Sequence, residues 1–134
     1  EDVQALELGV ETPLPGDAYR LHKTHGGTPD PGQFEPAVLP VDAKGKLVGP
    51  ADMAAQLDAV YANLEKVLAA HGVGFNAVVR ENLYTTDMEA LLQVSDIRFK
   101  YYSTGSLPAV TWLEVKRLVD PGFLVASEVT LELP

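Results

Sequence analysis

Cysteine is absent from the 134 residues. That excludes disulfides, thiolate catalysis and cysteine metal sites, and it suits a cytoplasmic protein. No apolar run approaches the roughly 18 residues that a membrane span requires. No secretory signal pattern is visible at the N-terminus. Positive charge is scarce as well: 10 Lys and Arg stand against 19 Asp and Glu, a formal net charge of −9. The basic residues are scattered, and none clusters beyond two neighbours, as in Lys116-Arg117. Nucleic-acid binding rests largely on neutralising phosphates with such residues, so a nucleic-acid role has little support. Internal repeats and low-complexity segments are also missing.

What remains is the composition of one globular domain spanning residues 1–134. Hydrophobic residues make up 46% of the chain, too many for disorder. The length suffices for one packed core of two layers.

Residues 1–50 hold most of the prolines. Gly26-Gly27-Thr28-Pro29-Asp30-Pro31-Gly32 reads as a loop and Asp42-Ala43-Lys44-Gly45-Lys46 as a turn, with the short apolar piece Ala37-Val38-Leu39 between them. Gly49-Pro50 then predicts a helix start, with proline at the first helical position. Met53, Leu57, Val60, Tyr61, Leu64, Val67, Leu68 and His71 follow at spacings of three and four, which makes one apolar face. Gly72 and Gly74 end that helix.

Residues 76–86 are rich in β-branched and aromatic side chains and predict a strand. Asp87 can cap a second helix. Its stripe runs Met88, Leu91, Leu92, Ser95, Phe99, Tyr102, and Ser103-Thr104-Gly105-Ser106 stops it. Two further strands are expected at 109–118 and 123–133, joined through Asp120-Pro121-Gly122. This order predicts an α/β (α+β) domain with both helices packed on one sheet face. The other face, expected to carry Val110 and Trp112, then needs cover, and an oligomer interface would supply it.

Several strings resemble the RidA (YjgF/YER057c/UK114) family. Leu47-Val48-Gly49-Pro50-Ala51-Asp52-Met53 is similar to the entry into that family's long helix. Val78-Val79 through Tyr84-Thr85-Thr86-Asp87-Met88 is similar to its central strand. Leu107-Pro108-Ala109 and Leu113-Glu114-Val115-Lys116-Arg117-Leu118 are similar to its C-terminal signature. The resemblance covers roughly residues 47–130. It implies a chorismate mutase-like fold, with a mixed six-stranded sheet and two helices on one face. It also implies a homotrimer with inter-subunit clefts, a small-molecule ligand, no cofactor, and hydrolysis of reactive enamines or imines. Such chemistry needs a carboxylate anchor, a positioned water and donors near the reacting carbon.

The departures bear on function. Where the family has an arginine that pairs with the substrate carboxylate, this chain has Val110. Trp112 stands where the family often has a small residue or cysteine, and Ser95 replaces a frequent asparagine. The family's Ser-Gly-Gln string is missing, and residues 26–36 are polar and proline-rich instead. The family's last-strand acid is kept as Glu128, and Tyr19 matches its early aromatic.

Glu128 is thus the expected catalytic residue, positioning water in a cleft lined by Val110 and Trp112, where desolvation would raise its pKa. The plainer reading is a solvated acid or an interchain ion pair. Val110 and Trp112 line either a remade apolar pocket or the trimer core. Ser95 and Thr111 offer hydroxyls to a ligand but lack the context of a nucleophile. Arg80 is either a substitute anion anchor or half of a salt bridge. Glu114 reads as interface structure. His22, His25 and His71 are too few and too scattered for a metal site, so no metal is expected. The expected function is a deaminase-type hydrolase of altered range. The alternatives are a trimeric small-molecule-binding protein without catalysis, and a tailoring enzyme of a biosynthetic pathway.

Overall fold

The computed structural model describes residues 33–102 and 107–134. Tyr19, His22, His25 and the 103–106 stop signal lie outside the described residues. Two short strands come first, β1 (Gln33–Phe34) and β2 (Ala37–Val38). Next are helix α1 (Met53–Ala70), strand β3 (Val78–Thr85), helix α2 (Met88–Gln93), β4 (Ala109–Glu114) and β5 (Val125–Glu132).

The expected stripe forms α1: Met53, Leu57, Val60, Tyr61, Leu64, Val67 and Leu68 are all buried. The helix begins later than the proline suggested. Asp52 is the N-cap, and its Oδ1 accepts from the Ala55 N–H at 3.0 Å. Pro50 lies in the preceding turn, between Gly49 at φ +57 and Ala51 at φ +59. A Cβ on Gly49 would meet the Ala55 Cβ at 2.6 Å, so the close approach demands glycine. At the other end Gly72 takes φ +71. Val73 N–H bonds Leu68 O and Gly72 N–H bonds Ala69 O, both at 3.0 Å, a paired closure that satisfies two terminal carbonyls.

The second helical stripe is not one α-helix. It breaks at Val94 (φ −117, ψ 13) and continues as a 3-10 helix over Ser95–Lys100. Ser95 Oγ donates to Leu92 O at 3.0 Å, tying the break to the preceding turn. Asp87 caps α2 as expected, accepting from Ala90 N–H at 3.1 Å. Glu114 Oε1 adds a second acceptor at this N-terminus, 2.8 Å from Met88 N.

Among the described residues the sheet has five strands, in the order β1-β5-β3-β4, with β2 also paired to β5. β3 runs antiparallel to β5 and parallel to β4. The parallel pair needs a crossover, and the α2 segment provides it. Glu81, Leu83 and Thr85 of β3 are buried, as are Val125, Ser127, Val129 and Leu131 of β5. These residues form the face under the helices, and the core cluster joins them to the α1 stripe. Alternation sends Arg80, Asn82 and Tyr84 to the other face, beside Ala126, Glu128 and Thr130.

Gln56 interrupts the apolar face of α1 with a structural role. Its Nε2 donates to Gly49 O (3.2 Å) and Gly122 O (2.9 Å), and its Oε1 accepts from Leu124 N (2.7 Å). One amide thereby ties the helix start to the turn before β5. Among the described residues no helix is long and apolar enough to cross a membrane.

The register corrects one expectation. Val110 pairs with Glu81 and Trp112 with Leu83, so both lie on the helix side of the sheet rather than on its opposite face. The reason lies in the 3-10 segment, which brings Arg98 over this edge, its guanidinium carbon 5.1 Å from the Trp112 ring centre.

Candidate functional site

Strand β5 places Glu128 on the sheet face away from the helices, opposite Asn82 of β3 and next to Ala37 of β2. Asn82 Nδ2 donates to Glu128 Oε1 at 3.1 Å, and the Tyr84 hydroxyl donates to the same oxygen at 3.0 Å. Among the described residues no donor reaches Oε2. The carboxylate is therefore oriented through one oxygen and presents the other. Burial, followed by the negative charge of Glu128 and its hydrogen bond, raises the Tyr84 pKa, so this phenol stays protonated well past neutrality.

A cavity of about 260 Å³ opens beside this pair. Its walls are Ala37, Leu39, Leu118, Val119 and Ala126, with Tyr84 and Glu128 as polar side chains; Ser127 also lines it, with its hydroxyl bonded to Glu81. An apolar concavity with a few convergent polar groups is the usual form of a small-molecule site. One wall rests on a minor core of Leu39, Val41, Phe123 and Ala126, against which Leu118 and Val119 pack. Asn63 Nδ2 holds the Leu39 and Val41 carbonyls at 2.8 and 2.9 Å, pinning the segment after β2 to α1.

The remaining predicted residues divide between the two faces. Thr111 pairs with Asn82 on the face away from the helices, and Arg80 Nη2 donates to Thr111 Oγ1 at 2.7 Å. Arg80, Thr111, Asn82, Tyr84 and Glu128 thus share one surface. Val110 and Trp112 leave the opposite surface, so a single chain does not form the expected cleft of these two residues with Glu128. Glu128 is exposed in the single chain. Ser95 is removed from the group and serves the helix break. Glu114 caps α2. His71 ends α1 with its ring 4.9 Å from that of Phe34. Among the described residues no three His, Cys, Asp or Glu side chains gather as a metal site would require.

Sequence reasoning missed Asn82 and Tyr84. The signal was present, because Arg80, Asn82 and Tyr84 alternate along a strand whose other positions are Glu81, Leu83 and Thr85. It also missed a buried polar centre on the helix side. Glu81 is fully buried and accepts from Tyr61 Oη (2.6 Å), Ser127 Oγ (2.7 Å), Arg98 Nη2 (2.6 Å) and Tyr102 Oη (3.4 Å). Arg98 Nε also donates to Tyr61 Oη at 2.9 Å. Burial, then the charge of Glu81, pushes the pKa of both tyrosines far up. With its lone pairs taken and no solvent access, this centre is structural.

The molecule is similar to several known proteins. Protein DfrA of Myxococcus xanthus is 34% identical over 80 residues, which is 60% of each chain. The match thus spans about three fifths of that curated relative. The solved structure of YyfA from Yersinia pestis, of the conserved Rid protein family, is 28% identical with a TM-score of 0.71, covering 77% of this chain and 82% of that one. The E. coli protein TdcF, solved with bound serine, shares the fold at a TM-score of 0.69 and 16% identity, covering 81% and 86%. The family described as Endoribonuclease L-PSP matches residues 37–131. From the long capped helix to the strand that carries Glu128, the match takes in every element that builds the site, and the chain belongs to this family of Rid (YjgF/YER057c/UK114) proteins.

Proposed function

We propose that this protein is a Rid-type hydrolase acting on a small imine or enamine, with Glu128 managing the proton of the attacking water. The observation that carries the reading is the Glu128 carboxylate: Oε1 is fixed by Asn82 and Tyr84, and Oε2 stands clear beside a cavity of small-molecule size. Water adds across the C=N bond to give a carbinolamine. Glu128 accepts the proton from that water and returns it to the nitrogen. Glu128 then passes the hydroxyl proton of the carbinolamine to the nitrogen as the C–N bond breaks, so that ammonia leaves, a carbonyl remains and the enzyme is unchanged at the end of the cycle.

The site belongs to a homotrimer, in clefts between subunits. The division of residues between faces supports this. Glu128 leaves the sheet face away from the helices, whereas Val110 and Trp112 lie on the helix side of β4, so a second copy is needed to bring them near it. A closing neighbour would also desolvate Glu128. Valine in place of the family's arginine supports a substrate range shifted away from iminoacids. A small-molecule ligand also fits the fold, since TdcF was solved with bound serine. RNA cleavage has weaker support, given the −9 charge. A cytoplasmic setting agrees with the cysteine-free sequence.

The exposure of Glu128 and the lost arginine favour a second reading, a trimer that binds a small molecule without turning it over. One assay separates the two. Freshly generated imines, with and without a carboxylate, are offered to the wild type and to Glu128→Gln, and ammonia is measured. Turnover lost in Glu128→Gln supports the hydrolase. Binding without ammonia release from any imine selects the second reading.

A further inference from the structure

We infer that the Glu128 cavity selects a nitrogen cation on an apolar body, a protonated amine or iminium, and disfavours molecules that carry a carboxylate. The inference rests on the reading of this cavity as the ligand site and deepens it by naming the ligand class.

The charge distribution carries the argument. Glu128 contributes an anion whose Oε2 has no donor among the described residues, so it can accept from an N–H of a ligand. The Tyr84 hydroxyl gives its proton to Glu128 and so presents lone pairs and a ring face, both attractive to a cation. The other lining side chains are alkyl groups, apart from Ser127, whose hydroxyl is bonded to Glu81 on the far side of the sheet. Among the described residues no Lys or Arg lines the cavity.

Two described arginines near the cavity are otherwise engaged. Arg80 shares the face, but it pairs with Thr130, two residues beyond Glu128, while the cavity runs the opposite way toward Ala126. That separation is about 7 Å along the strand. Its Nη2 is also bonded to Thr111. Arg117 stands next to the Leu118–Val119 wall, yet its Nε and Nη2 donate to the carbonyls of those two residues, each at 3.1 Å. Position 110 is valine whichever subunit presents it. A ligand carboxylate entering the cavity would meet Glu128 with no counter-charge, whereas an ammonium or iminium would find one. The net charge of −9 attracts the same sign of ligand over longer range. For imine hydrolysis the preference is productive, because a neighbouring carboxylate favours the protonated iminium, the more electrophilic form.

The test compares three probes of one shape on the full chain by calorimetry: benzylamine, benzyl alcohol and benzoate. Benzylamine should bind at least about tenfold tighter than the alcohol, which is about 1.4 kcal/mol, and benzoate no tighter than the alcohol. Glu128→Gln, a change at an exposed position, should erase the preference and leave alcohol binding in place. Equal binding of amine and alcohol, tighter binding of benzoate, or binding of none of the three overturns the inference. The hydrolase reading fails separately. Amine preference without turnover of any imine leaves the ligand class standing and removes the reaction. Turnover of carboxylate-bearing imines without amine preference does the reverse.

Discussion

Arg98 reaches Glu81 across the contact between the second helical segment and the central strand, Nη2 to Oε1 at 2.6 Å, with 6% and 0% of their side-chain surfaces exposed. Two charges removed from water this completely lose several kcal/mol of hydration each, and only a saturated hydrogen-bond shell offsets that loss. The shell is present, because Tyr61 and Ser127 occupy Oε2 and the Tyr102 ring lies 5.3 Å from the guanidinium carbon.

Removing one partner should therefore be costly. Arg98→Met leaves a buried anion and is expected to destabilise by about 3–5 kcal/mol. Adding Glu81→Leu should recover a large part of that loss. Urea unfolding at a fixed chain concentration measures both, and a loss below about 1 kcal/mol in the single variant would deny the pair this role.

Stability should fall at alkaline pH. Tyr61 and Tyr102 are raised mainly by burial, and Tyr101 is pushed up to about 12 by burial and by its hydrogen bond to Asp58. A raised folded-state pKa means that the native state holds the proton longer than the unfolded chain. The stabilising contribution is complete below pH about 10 and is lost as pH rises through the folded value. Tyrosinate absorbance and unfolding should then rise together. Full tyrosine ionisation near pH 10 in a chain that stays folded would contradict the buried cluster.

The helix start is a separable unit. Asp52→Ala removes the acceptor for Ala55 N–H and should lower stability by about 0.5–2 kcal/mol. Asp52→Asn should keep most of it, since asparagine caps equally well. Thermal melting of the three proteins distinguishes a cap from a charge effect.

If sites form between subunits, complementation should be observable. A chain carrying Val110→Arg with Glu128→Gln is expected to be inactive on iminoacids, as is the wild type. Mixed trimers of the two should be active, because the introduced arginine and an intact Glu128 meet across one interface. Activity of Val110→Arg that is confined to unmixed chains, with silent mixtures, would place both residues in one subunit.

Much of this was legible in the order of residues. The spacing from Met53 to Leu68 marks a one-sided helix whatever it packs on, and Gly72 marks its end because few other residues take that backbone angle readily. Asp52 is a favoured capping residue type, but Pro50, two positions before it, drew the predicted start three residues early. Both are local effects, set within one or two helical turns.

The faces were decided non-locally. Alternation along β4 groups Val110 with Trp112, but only the packing of Arg98 over that edge puts them under the helices. The site itself is a matter of register. Asn82 and Tyr84 lie 46 and 44 residues from Glu128 and reach it because β3 and β5 align Asn82 with Glu128. A slip of one residue would turn the whole set to the other face. Local pattern therefore determined which segments are helix or strand and which residues share a strand face. The pairing of distant strands, driven by burial of Leu83, Val125, Val129 and Leu131, decided that Glu128 would stand beside a cavity with one oxygen held and the other presented.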